Sequence, residues 1–157
     1  MPLGWKKIAK DGINILDVGC GDGDITQNLI DYISINSKRK VQINIYGIDI
    51  NASRISNCKN LVKSDSKNIK INFMVDDLTK KNYSKFKKNF FDYCICSGVL
   101  EILSEPKLET FLKNLSKLVK KGIYIEDVAE TFPGGWPRHN LGYYLLKNGF
   151  KIKERHL

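Results

Sequence analysis

The sequence predicts an α/β domain: a three-layer sandwich around a mostly parallel, doubly wound sheet. Three observations carry that prediction. Apolar runs of strand length alternate with segments of helical periodicity along the chain. The runs are nearly continuous rather than alternating apolar and polar, as expected of strands buried on both faces. And the first run ends in a turn with glycine at every second position, Gly19, Gly21 and Gly23, which opens a helix.

The elements follow in order. Residues 13–18 (INILDV) form strand one, and a helix follows with Ile25, Leu29, Ile30 and Ile33 on one face and Asp22 or Asp24 as N-cap. Residues 41–50 (VQINIYGIDI) are strand two, 51–62 a helix, and 69–75 (IKINFMV) strand three. Residues 80–88 have room only for a short lysine-rich helix or a loop. Strand four, 91–97 (FDYCICS), leads into a helix whose Leu108, Phe111, Leu112, Leu115, Leu118 and Val119 repeat at helical spacing after Pro106. Residues 122–127 (GIYIED) are strand five. The turn-rich TFPGGWPRHN leads to a helix over 140–148, ended by Asn148-Gly149, and then to a last strand, FKIKER.

Composition narrows the function classes. The 157 residues read as one domain spanning 1–157, with no linker, repeat or low-complexity tract. No run approaches the ~18 apolar residues of a membrane span, and the N-terminus has no signal-peptide core, so the expectation is a soluble, cytoplasmic protein without membrane contact. Cys20, Cys58, Cys94 and Cys96 include no Cys-x-x-Cys pair and the histidines are only His139 and His156, so no metal site is expected and the thiols are read as buried and reduced. The net charge of +9 concentrates in residues 78–90, where five lysines stand among Tyr83, Phe86 and Phe90 with no acid. That mixture suits RNA, by phosphate pairing and base stacking, but it equally follows from a lysine-rich composition throughout the chain.

The glycine turn sits where ligands bind in such folds, at the carboxyl ends of the strands beside strand one. Glycines let a ligand approach the main chain, and the helix start turns N–H groups and its positive dipole end toward it. A dinucleotide fold would need Gly-x-Gly-x-x-Gly, yet Asp24 stands in the third place, and no Gly-Lys-Ser/Thr of a phosphate loop is present.

Asp17-x-Gly19-x-Gly21-x-Gly23 resembles the first motif of the class I S-adenosylmethionine-dependent methyltransferases, closest to the small-molecule members, and the resemblance continues along almost the whole chain. It implies a Rossmann-like methyltransferase fold, here short of its last edge strand, and S-adenosyl-L-methionine as cofactor. Gly47-Ile48-Asp49 resembles the second motif, which implies that Asp49, with Ile50 beside it, takes the ribose hydroxyls. Asp76-Asp77-Leu78 resembles the third, whose acid receives the adenine amino group; spacing from Phe73 gives that role to Asp77 first and Asp76 as substitute. FDYCICSGVLEIL resembles the fourth, which implies that Cys96, Ser97 and Gly98 line the methionine portion. Asp17 is implied to contact the cofactor's amino group, directly or through water, and it also suits the pinning of the loop by accepting backbone N–H bonds. Gly19, Cys20 and Gly21 complete the implied cofactor set, with Cys20 a small filler of the turn.

Methyl transfer of this kind needs positioning above all, with a base only where the acceptor is protonated. Glu101, Asp127, Glu130 and His139 lie near strand ends, and Ile102 stands where several family members carry a histidine. The catalytic residue is left open among His139, Glu101 and Asp127. No Asn/Asp-Pro-Pro-Tyr/Phe tetrapeptide follows strand four, so the small-molecule acceptor leads, with Trp136, Tyr143 and Tyr144 as pocket walls. RNA or protein is the alternative acceptor, and a noncatalytic cofactor-binding subunit is the reading from another class. The short pattern after strand five leaves a sheet edge to be completed by a second copy or a partner protein.

Overall fold

Continuous apolar runs become the strands of one five-stranded parallel sheet: β1 (Asn14–Val18), β2 (Ile43–Asp49), β3 (Ile69–Val75), β4 (Phe91–Ser97) and β5 (Val119–Glu126), in the order β3-β2-β1-β4-β5. The computed structural model describes residues 4–126 and 140–153. The order reverses at β1, whose Asp17 stands in register with Gly47 of β2 on one side and Ile95 of β4 on the other. A crevice at the carboxyl ends of the strands is the expected product of such a reversal.

Alternation along the strands sorts their side chains onto two faces. Ile15, Ile43, Ile45 and Ile95 meet α1 (Gly4–Asp11), α2 (Asp24–Asn36) and α3 (Ala52–Leu61), whereas Leu16, Val18, Ile48, Cys94 and Cys96 meet α4 (Glu105–Leu118) and α5 (Leu141–Lys147). Each such aliphatic side chain taken from water contributes roughly 1.5–3 kcal/mol, so the two layers together dominate the stability. The four cysteines are buried and free, as the sequence suggested. Trp5 of α1 packs edge-on against Tyr32 of α2, and Gly4 lies so close to the Tyr124 ring that a Cβ there would come within 1.9 Å. This seats α1 on the sheet face beside α2.

Four expectations are corrected. The buried stripe of α2 is Thr26, Leu29, Ile30 and Ile33, so Thr26 and not Ile25 faces the sheet most deeply. The N-cap is Gly23, at φ 95°, rather than Asp22 or Asp24; the Asp22 carboxylate is drawn toward Arg54 (3.9 Å) and Asn57 (3.0 Å) instead. Val119 is not the last turn of a helix but the first residue of β5, because α4 runs into the strand without a loop. Phe150–Lys153 form no strand: Phe150 packs into the α4-side core instead of pairing with the sheet. The expectations for residues 127–139 and 154–157 lie outside the described residues.

The lysine-rich segment after β3 contains no helix. Its aromatic residues take a helix's place over the sheet: Phe86 and Phe90 surround Tyr46 and Phe91 with ring centroids 4.9–5.7 Å apart. Buried Asn114 of α4 ties the segment down by donating to the Leu78 and Lys80 carbonyls at 2.8 and 2.9 Å.

At the opposite end of the sheet, the Asp92 carboxylate is buried and accepts the N–H groups of Ile13 (2.8 Å) and Asn14 (3.0 Å). Lys120 (3.0 Å) and Lys121 (3.4 Å) of β5 neutralise it. Three adjacent strands are thus joined at their starts by one side chain.

Candidate functional site at the strand ends

The turn between β1 and α2 requires glycine for its own backbone. Gly19, Gly21 and Gly23 have φ of 71°, 55° and 95°, in the left-handed region that L side chains rarely adopt. A Cβ at Gly19 would come within 2.2 Å of Val99 Cγ2, and one at Gly23 within 2.4 Å of Val62 Cγ2. At Gly21 the nearest atom is an Arg54 guanidinium nitrogen at 3.4 Å, so this side is open. The sequence argument that a ligand needs the space therefore applies to Gly21; at Gly19 it is the protein itself that fills the space.

Main-chain bonds hold the turn against β2. Gly19 and Cys20 both donate to the Ile48 carbonyl, at 2.8 and 3.1 Å. The Gly21 peptide is gripped on both sides: its N–H donates to Asp49 Oδ2 at 3.0 Å and its carbonyl accepts from the Cys58 thiol at 3.0 Å. Asp49 Oδ1 accepts the Asn51 N–H at 2.8 Å. Asp49 is thus not the cap of α3; Asn51 is, its side chain accepting from Ser53 and Arg54. A carboxylate has about four lone-pair directions, so a half-exposed Asp49 with one bond on each oxygen retains acceptor capacity.

Asp17 lies beneath this turn and is 2% exposed. Its partner is a side chain, not the backbone N–H groups expected: Thr26 Oγ1, itself fully buried, donates to Asp17 Oδ2. Burial raises the Asp17 pKa to about 6; the Thr26 hydroxyl opposes the rise, and the negative charge of Asp49 adds to it. Cys20 is buried beside it, and burial pushes its thiol far above the ordinary value. This fits a filler and not a nucleophile.

The acids after β3 divide differently from each other. Asp76 donates its N–H to the Asp49 carbonyl at 3.0 Å, joining the β2 and β3 ends. Its carboxylate is spent within the protein, accepting from the Tyr83 hydroxyl and the Asp77 N–H with Lys85 at 3.6 Å. Asp77 uses Oδ1 for the Thr79 N–H and hydroxyl, at 2.8 and 2.7 Å. Its Oδ2 has no bond among the described residues. Leu78 is buried in the α4-side core, and its carbonyl accepts from Asn114.

Strand β4 ends with Cys96 fully buried and Ser97 half-buried, and Gly98 then turns with φ 64°, its N–H on the Glu126 carbonyl at 2.9 Å. Glu101 lies on the 3-10 turn Leu100–Ile102 that follows, half-buried. Around the crevice, Ile50 (71%), Val75 (48%) and Ile102 (47%) are exposed, an apolar rim beside the acids. Asp127, Glu130, Trp136 and His139 lie outside the described residues, which carry no group of acids, histidines or cysteines able to hold a metal. No described helix is long and apolar enough to cross a membrane. Sequence reading missed Thr26, although a buried Asp17 in an apolar strand demands a donor and residue 26 stands one helical turn before Leu29 and Ile30.

Comparison with known proteins bears on the family and the fold. A family described as "Methyltransferase domain" matches residues 9–138. Sterol 24-C-methyltransferase of Schizosaccharomyces pombe is 23% identical over 97% of the chain and 38% of its own length. The ubiquinone biosynthesis O-methyltransferase of Coxiella burnetii is 26% identical over 74% of the chain and 43% of its own length. The chain therefore spans about 40% of these curated relatives. Among solved structures, a methyltransferase dependent on S-adenosylmethionine from Aquifex aeolicus superposes with a TM-score of 0.67 at 20% identity, covering 96% of this chain and 81% of that one, which shows the shared fold. With the family matched across most of the sequence and the fold shared with such an enzyme, the chain belongs to the class I S-adenosylmethionine-dependent methyltransferases.

Proposed function

We propose that this chain binds S-adenosylmethionine over the ends of β1 to β4 and directs its methyl group to a small-molecule acceptor. The observation that carries the reading is Asp49: a carboxylate at the end of β2, held by Gly21 and Asn51 N–H groups, beside a turn whose Gly21 side is open. The remaining lone pairs suit the two ribose hydroxyls. Asp77, with Oδ2 uncommitted among the described residues, fits the adenine amino group better than Asp76, whose oxygens are engaged. Ile50 supplies apolar surface at the rim, and the Cys96–Gly98 main chain with Ser97 fits the methionine portion. Asp17 and the Gly19–Gly21 backbone complete the cradle.

When bound, the cofactor supplies a methyl group already activated by the sulfonium charge. The protein's part is then to hold, orient and keep water from the reacting atoms. Glu101, half-buried on the turn after β4, is a candidate for any base the acceptor needs, with His139 and Asp127 beside it.

RNA as acceptor is supported less well, because Tyr83, Phe86 and Phe90 pack against the α4-side core and are only partly exposed for base stacking. Protein as acceptor, and a noncatalytic cofactor-binding subunit, are the remaining readings; the second would bind cofactor without turnover. Incubation with methyl-labelled cofactor and a panel of small phenols, acids and amines, against total RNA, tests the proposal. Demethylated cofactor released with a small molecule supports it. Release with RNA alone, accompanied by steeply salt-dependent RNA binding, overturns the acceptor class.

A further inference from the structure

Thr26 is a polar residue in an apolar stripe. On α2 it shares the i, i+3, i+4, i+7 face with Leu29, Ile30 and Ile33, all fully or almost fully buried, and an aliphatic residue would suit that position equally well by size. A helical threonine ordinarily returns its hydroxyl to a carbonyl three or four residues back. This one donates across nine positions to Asp17 Oδ2. Its hydroxyl has no access to solvent, and its one recorded bond is to the acid of the first motif.

We propose that Thr26 is a positioning residue of the cofactor site: its hydroxyl fixes Asp17 Oδ2 so that the carboxylate keeps its charge and its aim toward the amino-acid end of the cofactor. The proposal rests on the cofactor site described above. The groups that face Asp17 from the packed elements are Asp49 at the end of β2, Cys20 in the glycine turn, Cys58 of α3 and Cys94 of β4. Asp49 is a like charge, and burial raises all three thiols and keeps them neutral, so none of these stabilises an ionised Asp17. The Thr26 hydroxyl is the group that does. Without it, burial and the Asp49 charge would act unopposed and raise the Asp17 carboxyl further.

The test compares Thr26→Val, Thr26→Ser and wild type by calorimetric titration at pH 7 with two ligands. S-adenosylhomocysteine carries the amino-acid end, and 5′-methylthioadenosine lacks it. Losing a hydrogen bond to a charged group costs on the order of tenfold or more in affinity. Thr26→Val is therefore expected to weaken S-adenosylhomocysteine by at least about tenfold and 5′-methylthioadenosine by less than about twofold, with Thr26→Ser close to wild type. In the cofactor-free protein, the NMR titration of the Asp17 carboxyl carbon should move upward by roughly one to two pH units in Thr26→Val and return in Thr26→Ser. Equal weakening of both ligands, failure of serine to restore binding, or an unmoved Asp17 titration overturns the proposal. If Thr26→Val does not fold, Thr26→Ala takes its place in the same comparison. If wild type binds neither ligand, the cofactor reading fails on its own, and the NMR titration still decides whether Thr26 governs Asp17.

Discussion

Asp49 Oδ2 accepts the Gly21 N–H at 3.0 Å, so the acid ending β2 and the most open glycine of the turn after β1 are one structural unit. The Cys58 thiol on the Gly21 carbonyl closes the other side of the same peptide. Whatever is bound by Asp49 therefore lies against a main chain that is already immobilised, which lowers the ordering cost of binding.

The three glycines separate into structural and ligand-facing positions. Gly19→Ala adds a left-handed strain of about 1–2 kcal/mol and a collision with Val99, so urea unfolding should show a loss of roughly 3 kcal/mol or more. Gly21→Ala carries the strain without the collision and should lose only about 1–2 kcal/mol, yet its cofactor affinity should fall at least tenfold. Equal stability losses in the two variants would refute the distinction.

Asp17 exchanges stability for charge. Its folded pKa of about 6 lies above the ordinary 3.8, so the stability associated with its neutral form is fully present below pH 3.8 and is lost as the pH rises through about 6. Asp17→Asn stays neutral throughout. In the cofactor-free protein it should exceed wild type by on the order of 2 kcal/mol at pH 7.5, with the gap closing below pH 5, while cofactor binding weakens. Denaturant curves across that range check the sign; a variant less stable than wild type at pH 7.5 contradicts it.

Asp92 behaves in the opposite sense. Burial alone would raise its pKa, but the Asn14 and Ile13 N–H groups and Lys120 outweigh burial and hold it below 3.8. Its contribution is therefore present above pH 3.8 and disappears as the pH falls through the lower folded value. Asp92→Ala leaves two backbone donors and Lys120 without their acceptor, while Lys121 keeps Asp11, and should cost about 3 kcal/mol at pH 7. Wild type and variant should converge in strong acid; a pH-independent difference would place the effect in packing.

Strand β5 has one neighbour, β4, among the described residues, and its Gly122, Ile123, Tyr124 and Ile125 are only half-buried. A sheet edge of that composition invites a further strand. We expect the mass in solution to rise above that of one chain within the micromolar range, through a second copy or a partner at this edge. A single-chain mass at all concentrations would count against self-association there.

Much of this architecture was legible because period and punctuation are local: a continuous apolar run ending in Asp17 and the glycines sets strand, turn and helix within a dozen residues. Asp49 was legible for the same reason, standing at the end of its strand. The rest depends on partners distant in sequence. Thr26 was hidden because residues 25 and 26 both fit the stripe with Leu29 and Ile33, and only the buried Asp17 carboxylate selects between them. The role of Asp92 was not legible, since its donors lie 78 and 79 positions away. Val119 was misplaced because it is at once the C-cap of α4 and the start of β5, where helical and strand patterns overlap. The choice between Asp76 and Asp77 rests on Tyr83 and Lys85, which claim one of them from the loop beyond.

The most direct measurement is calorimetric titration of wild type and Asp49→Ala with S-adenosylmethionine and its demethylated product. The account predicts that wild type binds both and that Asp49→Ala loses at least about tenfold for each, by removing the ribose acceptor and the Gly21 anchor together. A wild type that binds neither, or an Asp49→Ala variant that binds both as tightly as wild type, would contradict it.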